Sequence, residues 1–264
     1  MENRMISEID YKNLVRFVKD MPLSPAKVNV IASVLHTGQT DRGGHDYMEH
    51  LQFVAEVSCR ILRSRMPKPC APPPLQQRVK DVRRIADKMD AFINRPEALS
   101  RHIFHGINET SSVHQYAVGM LHDSIEDATI RGEGSGEVFR LCREDLLAMG
   151  LPTVVVEAVA LLTKKDKPET DAAKVDRFDP LSLWHNYQKQ ISHLMSWDAS
   201  TPASESYVMA LCAKIADNQH NKDLERLRHK DRAKPQNVAR SAMYSISESF
   251  LTNQLFRVTQ ASPR

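Results

Sequence analysis

Glycine is scarce in this chain of 264 residues, which contains only 9 of them. Globular proteins contain roughly 7% glycine on average. This chain therefore has few glycines for the many tight turns that a β-sandwich or β-barrel needs. Long stretches of mixed charged and apolar residues run between the few glycines. This composition favours helices over a turn-rich β architecture.

The chain also lacks paired cysteines, a long apolar run and a secretion signal. Its four cysteines have no Cys-x-x-Cys spacing, which argues against a disulfide framework and a zinc–thiolate site. The longest apolar run, residues 153–163, is interrupted by Glu157 and is far shorter than the ~20 residues that span a bilayer. The N-terminal residues have no apolar signal-peptide core. We therefore expect a protein of the reducing cytoplasm with no membrane partner.

Charge of one sign does not dominate either, because the formal net charge is only +3. Such a balance does not favour a nucleic-acid partner, and local charge would be enough to bind an anionic small molecule. The 11 histidines, in contrast, are numerous enough to prompt a search for a metal or catalytic site.

Apolar residues recur at helical spacing along most of the chain, which predicts an all-α protein. Two capping signals support this, Ser7 with Asp10 and Ser24 followed by Pro25. The proline-rich segment 66–74 breaks the pattern, and segment 131–137 is expected to be a loop. The main predicted helices are 24–35, 47–64, 75–92, 138–149, about 181–196, 203–229 and 236–256.

The sequence HDSIED, residues 122–127, ends an apolar segment and concentrates three acids and one histidine. On a continuous helix, His122 would share a face with Glu126, and Asp123 would share one with Asp127. An adjacent imidazole and carboxylate can ligate one divalent metal, while a nearby acidic pair can manage an attacking water or a leaving group. Acids at a helix C-terminus oppose the helix dipole, so an ordinary charged helix end explains this motif poorly.

Two further segments carry polar residues in a suggestive order. In AKIADNQHN, residues 213–221, Asp217 and Asn221 are again four residues apart. In GQTDRGGHDYMEH, residues 38–50, a glycine-containing loop with Arg42 leads into Tyr47 and His50. Each segment is a weak signal alone, and the three motifs together are more informative.

The order of these motifs resembles that of the HD-domain phosphohydrolases. It is most similar to the hydrolase domain of the RelA/SpoT group, which acts on guanosine tetraphosphate (ppGpp), and to the small stand-alone versions of that domain. The similarity covers about residues 24–256. The matching stretches are 36–50, 119–129, 159–166 and 213–221.

The resemblance implies a helical HD fold with one Mn²⁺ ion or another divalent metal. By position, the implied metal ligands are His50, His122, Asp123 and Asp217. Imidazole and carboxylate ligands suit several divalent ions, so the donor set does not fix which ion binds.

The resemblance also implies roles in catalysis and substrate binding. Glu126 and Asp127 match the acidic pair that works with the attacking water. The positions that match substrate contacts are Arg42, Tyr47, Asn221 and Lys164, with Gln39 in the same loop. The implied reaction is hydrolysis of the 3′-diphosphate of ppGpp, which releases GDP and pyrophosphate.

The loop 41–46 departs from the resembled pattern, because it has one fewer basic residue, additional acids and no proline. This departure favours one alternative, a phosphatase acting on another nucleotide, such as NADPH or a nucleoside monophosphate. A second alternative, which does not depend on the loop, is a module that senses a nucleotide without turnover.

We expect a single HD-type domain over residues 1–264 with an inserted helical segment at about 64–110. A homo-oligomer is compatible with the sequence. Three further expectations concern residues without a ligand pattern: His36 is structural, His220 packs, and the basic run 226–234 is a solvated helix end.

Overall fold

The computed structural model describes residues 5–65, 110–133, 137–163, 175–196 and 203–261. These residues are mostly helical, so the predicted all-α class is confirmed. The helices are α1 Glu8–Val18, α2 Pro25–Leu35, α3 Tyr47–Arg65, α4 Thr110–Leu121, α5 Ser124–Asp127, α6 Arg143–Ala148, α7 Thr153–Leu162, α8 Pro180–Gln190, α9 Ser192–Met195, α10 Glu205–Lys222, α11 His229–Arg232 and α12 Pro235–Ala261.

Both capping signals read from the sequence are confirmed. The Ser7 side chain accepts a hydrogen bond from the backbone N–H of Asp10 and begins α1. The Ser24 hydroxyl accepts one from Lys27 N–H, and Pro25 takes the first position of α2. Each cap satisfies a backbone donor that the first helical turn leaves unpaired.

The predicted helix over 138–149 is wrong in its first part. A three-stranded sheet forms from β1 Ile6–Ser7, β2 Thr129–Arg131 and β3 Val138–Arg140, with β1 parallel and β3 antiparallel to β2. The helical part begins only at α6, where the Asp145 carboxylate accepts from Cys142 N–H. Each of these strands has only two or three residues, which is too few to show the alternation by which a strand is recognised in a sequence.

The assumption that HDSIED continues the preceding helix is also wrong. Helix α4 ends at Leu121, and the short helix α5 begins after Asp123. The His122 ring bonds back to the carbonyl of Gly119, while Glu126 and Asp127 donate their backbone N–H groups to the carbonyl of Asp123. This break places His122 and Asp123 side by side in a turn instead of on one straight helix.

The C-terminal helices keep their predicted places but not their predicted ends. Segment 181–196 is interrupted at Ile191, which has φ −106° and ψ 14° and is fully buried. Helix α10 stops at Lys222 rather than at 229, because Asp223 adopts extended backbone and its carboxylate accepts from Glu225 N–H. Helix α12 runs to 261, past the predicted end at 256.

Helix α10 lies at the centre of the described core. It packs against α3, α7 and α12, and its residues from Met209 to Asn218 are buried without interruption. A helix that is buried on all sides needs apolar residues all round, which Met209, Leu211 and Ile215 help to provide. The same burial encloses its polar end at Lys214 and Asp217.

Helices α3 and α4 approach closely at Gly119. A Cβ atom on Gly119 would lie 2.4 Å from the Cα of Ala55 and 3.0 Å from the Ser58 hydroxyl oxygen. Only a residue without a side chain allows this contact. The contact brings the start of α3, with His50, towards the end of α4, with His122.

Several predictions fall on residues outside the described ranges. They are the proline segment 66–74, the helix 75–92, Lys164 and nearly all of the insertion at 64–110. In the described part of the chain, no helix is both long enough and apolar enough to cross a membrane.

Replacing Gly119 by alanine tests the close contact of α3 and α4. We expect the Gly119→Ala variant to lose about 1–3 kcal/mol of unfolding free energy, because the added methyl meets backbone atoms that have little room to move. Urea unfolding followed by circular dichroism measures the loss.

The matched control is Ser249→Ala, which introduces the same residue at an exposed position of α12. Its stability is expected to change by no more than about 0.5 kcal/mol. Equal stability of the Gly119→Ala variant and the unsubstituted protein would contradict the packing argument.

Candidate metal centre

The four residues predicted as metal ligands converge from three parts of the fold. His50 comes from the first turn of α3, His122 and Asp123 from the turn between α4 and α5, and Asp217 from α10. His50 Nε2 lies 3.7 Å from Asp123 Oδ2 and 3.6 Å from Asp217 Oδ1. His122 Nε2 lies 2.9 Å and 3.8 Å from the same two oxygens.

This arrangement can hold a metal ion. His50, His122 and Asp217 are buried, and each offers one donor atom within 4.8 Å of the others. Two imidazole nitrogens with carboxylate oxygens form a mixed donor set that suits Mn²⁺, Fe²⁺, Zn²⁺ and related divalent ions. The geometry therefore supports a metal centre and leaves the identity of the ion open.

The imidazole of His122 is oriented for a ligand. Its Nδ1 lies 2.8 Å from the carbonyl oxygen of Gly119 and donates to it, so the lone pair of the neutral ring is on Nε2. Nε2 is buried and lies 2.9 Å from Asp123 Oδ2, in an ion contact without hydrogen-bond alignment. A metal ion that displaces a proton from Nε2 would bind this nitrogen beside that carboxylate.

Electrostatics within the cluster follow from the close carboxylates. Burial by itself would lower the pKa of His122, but the charges of Asp123 and Asp217 outweigh burial and raise it to about 10. Burial likewise opposes ionisation of the two carboxyls, yet His122 lowers the pKa of Asp123, and Lys214 with His122 lowers that of Asp217. The carboxylates are therefore ionised and ready to bind a cation.

Lys214 was missed by the sequence reasoning, although it precedes Asp217 by three residues on the same helix. Its Nζ lies 2.8 Å from Asp217 Oδ2 and 5.8 Å from the ring centre of Tyr187. Despite burial, which acts the other way, the Asp217 carboxylate raises the pKa of Lys214 well above its ordinary value. The ion pair leaves Asp217 Oδ1 as the oxygen that faces the two histidines.

Three members of the cluster, His50, Asp123 and Asp217, line a cavity of about 230 Å³. Glu126, Asp127 and Tyr47 line it as well. The Tyr47 hydroxyl lies 2.5 Å from Asp123 Oδ2 and 3.3 Å from Asp127 Oδ2. Burial and these two carboxylates raise the pKa of Tyr47, so the hydroxyl keeps its proton. Tyr47, predicted to contact substrate, is thus joined to a metal-ligand candidate and to one of the acids.

Asn221 and Arg226 lie beside Asp217. The Asn221 amide nitrogen donates to Asp217 Oδ1, and its oxygen accepts from Arg226 at 2.8 Å. Arg226 also contacts Asp41 and lines the cavity, so the expectation of a solvated helix end for 226–234 is wrong at this residue. The early end of α10 causes the difference, because it turns the chain back towards the site.

His220 does more than pack. Its ring centre lies 4.7 Å from that of Phe53, and its Nδ1 lies 2.8 Å from His50 Nδ1. Burial, His50 and Arg226 together lower its pKa to about 3, which keeps the ring neutral. His220 and Arg226 surround a predicted ligand without being part of the donor set, and the motif pattern gave no signal for Arg226.

The loop 36–46 closes one side of the cavity. Arg42 is exposed and lines the cavity. The two acids of the loop have structural partners: Asp41 pairs with Arg226 at 3.2 Å, and Asp46 accepts from Met48 N–H at the start of α3. Gly43 is required here, since a Cβ would lie 2.1 Å from the carbonyl oxygen of Arg226.

His36 joins this loop to the acidic turn. It is buried, with Nδ1 2.9 Å from Gln39 Oε1 and Nε2 3.4 Å from the Ser124 hydroxyl. Burial lowers its pKa. These contacts agree with the expected structural role, and they direct Gln39 towards His36. The predicted substrate contact Lys164 lies outside the described residues.

A scan against models of protein families and a search of curated proteins both find no match to this chain. The resemblance to HD-domain phosphohydrolases therefore stays a prediction.

Replacing Asp123 tests the metal centre. The Asp123→Asn variant keeps an oxygen for the Tyr47 hydroxyl but loses the negative charge, and we expect its affinity for Mn²⁺ to fall by more than about 100-fold. Removing even an outer-shell partner costs about 10–100-fold. Equilibrium dialysis with elemental analysis measures the bound ion.

The control is Asp20→Asn, the same chemical change at a side chain that is 89% exposed. It should retain the full metal content. Equal Mn²⁺ content in the two variants would contradict the assignment.

Metal affinity should also depend on pH. Because the pKa of His122 is raised to about 10, this ring carries a proton at neutral pH that an ion must displace. Affinity should therefore fall as pH falls, by about one log unit per pH unit for one displaced proton. Titration calorimetry in two buffers of different ionisation enthalpy measures the released proton, and binding without proton release would contradict this expectation.

Proposed function

We propose that this chain is a metal-dependent phosphohydrolase of the HD type, with ppGpp as its substrate. The observation that carries the proposal is the convergence of His50, His122, Asp123 and Asp217, three of which line a cavity together with the further acids Glu126 and Asp127. These residues come from three separated motifs, whose order in the sequence is that of the resembled hydrolases.

The four converging residues would hold the ion, which the resemblance implies to be Mn²⁺. A divalent ion at such a site supplies an activated water and a Lewis acid for a phosphoryl oxygen. Lys214 orients Asp217 through the 2.8 Å ion pair, and the carbonyl of Gly119 orients His122. The chain thus fixes two donors before any ion arrives, which lowers the cost of assembling the site.

Glu126 and Asp127 are suited to proton transfer. Both line the cavity from the short helix α5, one turn beyond Asp123. One of them would take the proton of the attacking water while the bond between phosphorus and the 3′-oxygen breaks. Pyrophosphate and GDP would leave, with the water oxygen retained on pyrophosphate and the proton passed to the departing 3′-oxygen of GDP.

Arg42 is the candidate contact for the polyanionic substrate. It is exposed at the cavity, whereas the neighbouring acids Asp41 and Asp46 are engaged in an ion pair and a helix cap. Their partners reduce the repulsion that two acids in a nucleotide loop would otherwise cause. The departure of this loop from the resembled pattern is therefore compatible with an anionic ligand.

A second candidate function is hydrolysis of another nucleotide, such as NADPH or a nucleoside monophosphate. It is favoured by the composition of the segment 41–46, in which Arg42 is the single arginine or lysine. A substrate with fewer phosphates requires fewer cationic contacts.

The test is a substrate panel with Mn²⁺-loaded protein. We expect pyrophosphate release from ppGpp and no phosphate release from NADPH or nucleoside monophosphates. The Asp127→Asn and Glu126→Gln variants should bind Mn²⁺ normally and lose about 10²–10⁴-fold in turnover for whichever acid transfers the proton.

Asp20→Asn again serves as the control and should turn over ppGpp at the unsubstituted rate. Phosphate release from another nucleotide with ppGpp intact would replace the first function by the second. Nucleotide binding without turnover of any compound would overturn both in favour of a sensing module.

A further inference from the structure

A chain of hydrogen bonds runs behind His50, on the side away from the candidate metal position. His50 Nδ1 lies 2.8 Å from Nδ1 of His220, and the same His220 nitrogen lies 3.1 Å from Nη1 of Arg226. Arg226 Nη1 also donates to Asp41 Oδ2 at 3.2 Å. One nitrogen of His220 therefore has two neighbours, of which one is always a donor.

The donors and acceptors in this series of hydrogen bonds can be assigned in only one way. Arginine has no acceptor and does not lose its proton in proteins, so His220 Nδ1 must accept and carries no hydrogen. His50 Nδ1 must then be a donor towards it. A neutral imidazole with its hydrogen on Nδ1 has its lone pair on Nε2, and Nε2 of His50 faces Asp123 and Asp217.

Arg226 is itself held in one place. Its side chain is only 11% exposed, and Asp41 and the Asn221 oxygen bind Nη1 and Nη2 respectively. A planar guanidinium fixed by two other acceptors cannot turn away from His220 without losing them. The guanidinium of Arg226, which decides the direction of these hydrogen bonds, is therefore held in one position.

We propose that Arg226 is a positioning residue that sets the tautomer of His50 through His220, so that His50 presents an unprotonated Nε2 to a metal ion. This inference deepens the proposed function and rests on its metal site, but not on its substrate. Without Arg226, His220 can carry the hydrogen on Nδ1 and donate it to His50. His50 then carries its own hydrogen on Nε2, where it blocks the ion.

The first experiment reads the tautomers directly, without metal or substrate. Long-range ¹H–¹⁵N spectra of metal-free protein labelled at histidine, recorded near pH 8 where a free imidazole is neutral, distinguish a protonated from an unprotonated ring nitrogen. We expect His50 to be protonated on Nδ1 and His220 on Nε2. In the Arg226→Met variant, the population of His50 protonated on Nε2 should rise.

The second experiment measures Mn²⁺ affinity by calorimetry. We expect Arg226→Met to weaken binding by about 10–100-fold, the usual effect of losing an outer-shell partner. Arg226→Lys keeps a group that only donates, so it should restore most of the affinity and the original His50 tautomer. If the Met variant does not fold, the Lys variant carries the test, and a changed tautomer there would contradict the proposal.

Two further variants separate this role from general effects. Arg257→Met makes the same change at an exposed position of α12 and should alter neither readout. Asp46→Asn changes an acid of the same loop that caps α3 and does not bind Arg226, so a loss of affinity equal to that of Arg226→Met would assign the effect to the loop and overturn the proposal.

The two proposals fail in different ways. If the tautomers and Mn²⁺ affinities behave as expected and no nucleotide is hydrolysed, the proposed function fails and the role of Arg226 stands. If ppGpp is hydrolysed while the Arg226→Met variant keeps the His50 tautomer of the unsubstituted protein, the role of Arg226 fails and the proposed function stands.

Discussion

The close approach of α3 and α4 at Gly119 is the constraint on which the candidate site depends. A side chain at this position would meet backbone atoms of Ala55, so the distance between the helices is set by the absence of one methyl group. His50 and His122 come from these two helices, or from the residue directly after them. The carbonyl of Gly119 also receives the His122 ring, so one residue sets both the separation of the histidines and the orientation of one of them.

A second layer of contacts surrounds the four converging residues. Lys214, His220 and the Gly119 carbonyl each bind one member of the set on the side away from the others, whereas Tyr47 binds Asp123 Oδ2, the oxygen that faces the histidines. Buried polar networks of this kind are stable only when their members are satisfied. Two buried nitrogens of this network, Nε2 of His122 and Nε of Arg226, have no aligned hydrogen bond, and the first lies 2.9 Å from Asp123 Oδ2, beside the candidate metal position.

Features that depend on neighbouring residues could be read from the sequence. The caps at Ser7 and Ser24 are local hydrogen bonds, and the apolar periodicity of α2 and α10 reflects which face or faces are buried. The three motifs also led to the residues that the structure brings together. Their assignment came from a resemblance in the order of motifs, because spacing alone does not show that distant segments meet.

Features without a repeating pattern along the chain could not be read in this way. β2 and the strand at Val138–Arg140 have three residues each, too few to show a strand periodicity, and β1, the other partner of β2, lies far away at the chain start. The break at His122 includes a ring that bonds back to the carbonyl three residues earlier, a contact that apolar spacing does not reveal. Arg226 enters the site because α10 ends early and because Asp41, far away in the sequence, accepts its guanidinium.

The origin of the donors in three separated parts of the chain has a consequence for folding. An ion bound by His50, His122 and Asp217 would act as a cross-link between an early, a middle and a late segment. Such a link restricts the unfolded chain most when the loops that it closes are long. If the ion binds early in folding, coordination would draw the three segments together. If it binds late, packing alone would bring them together.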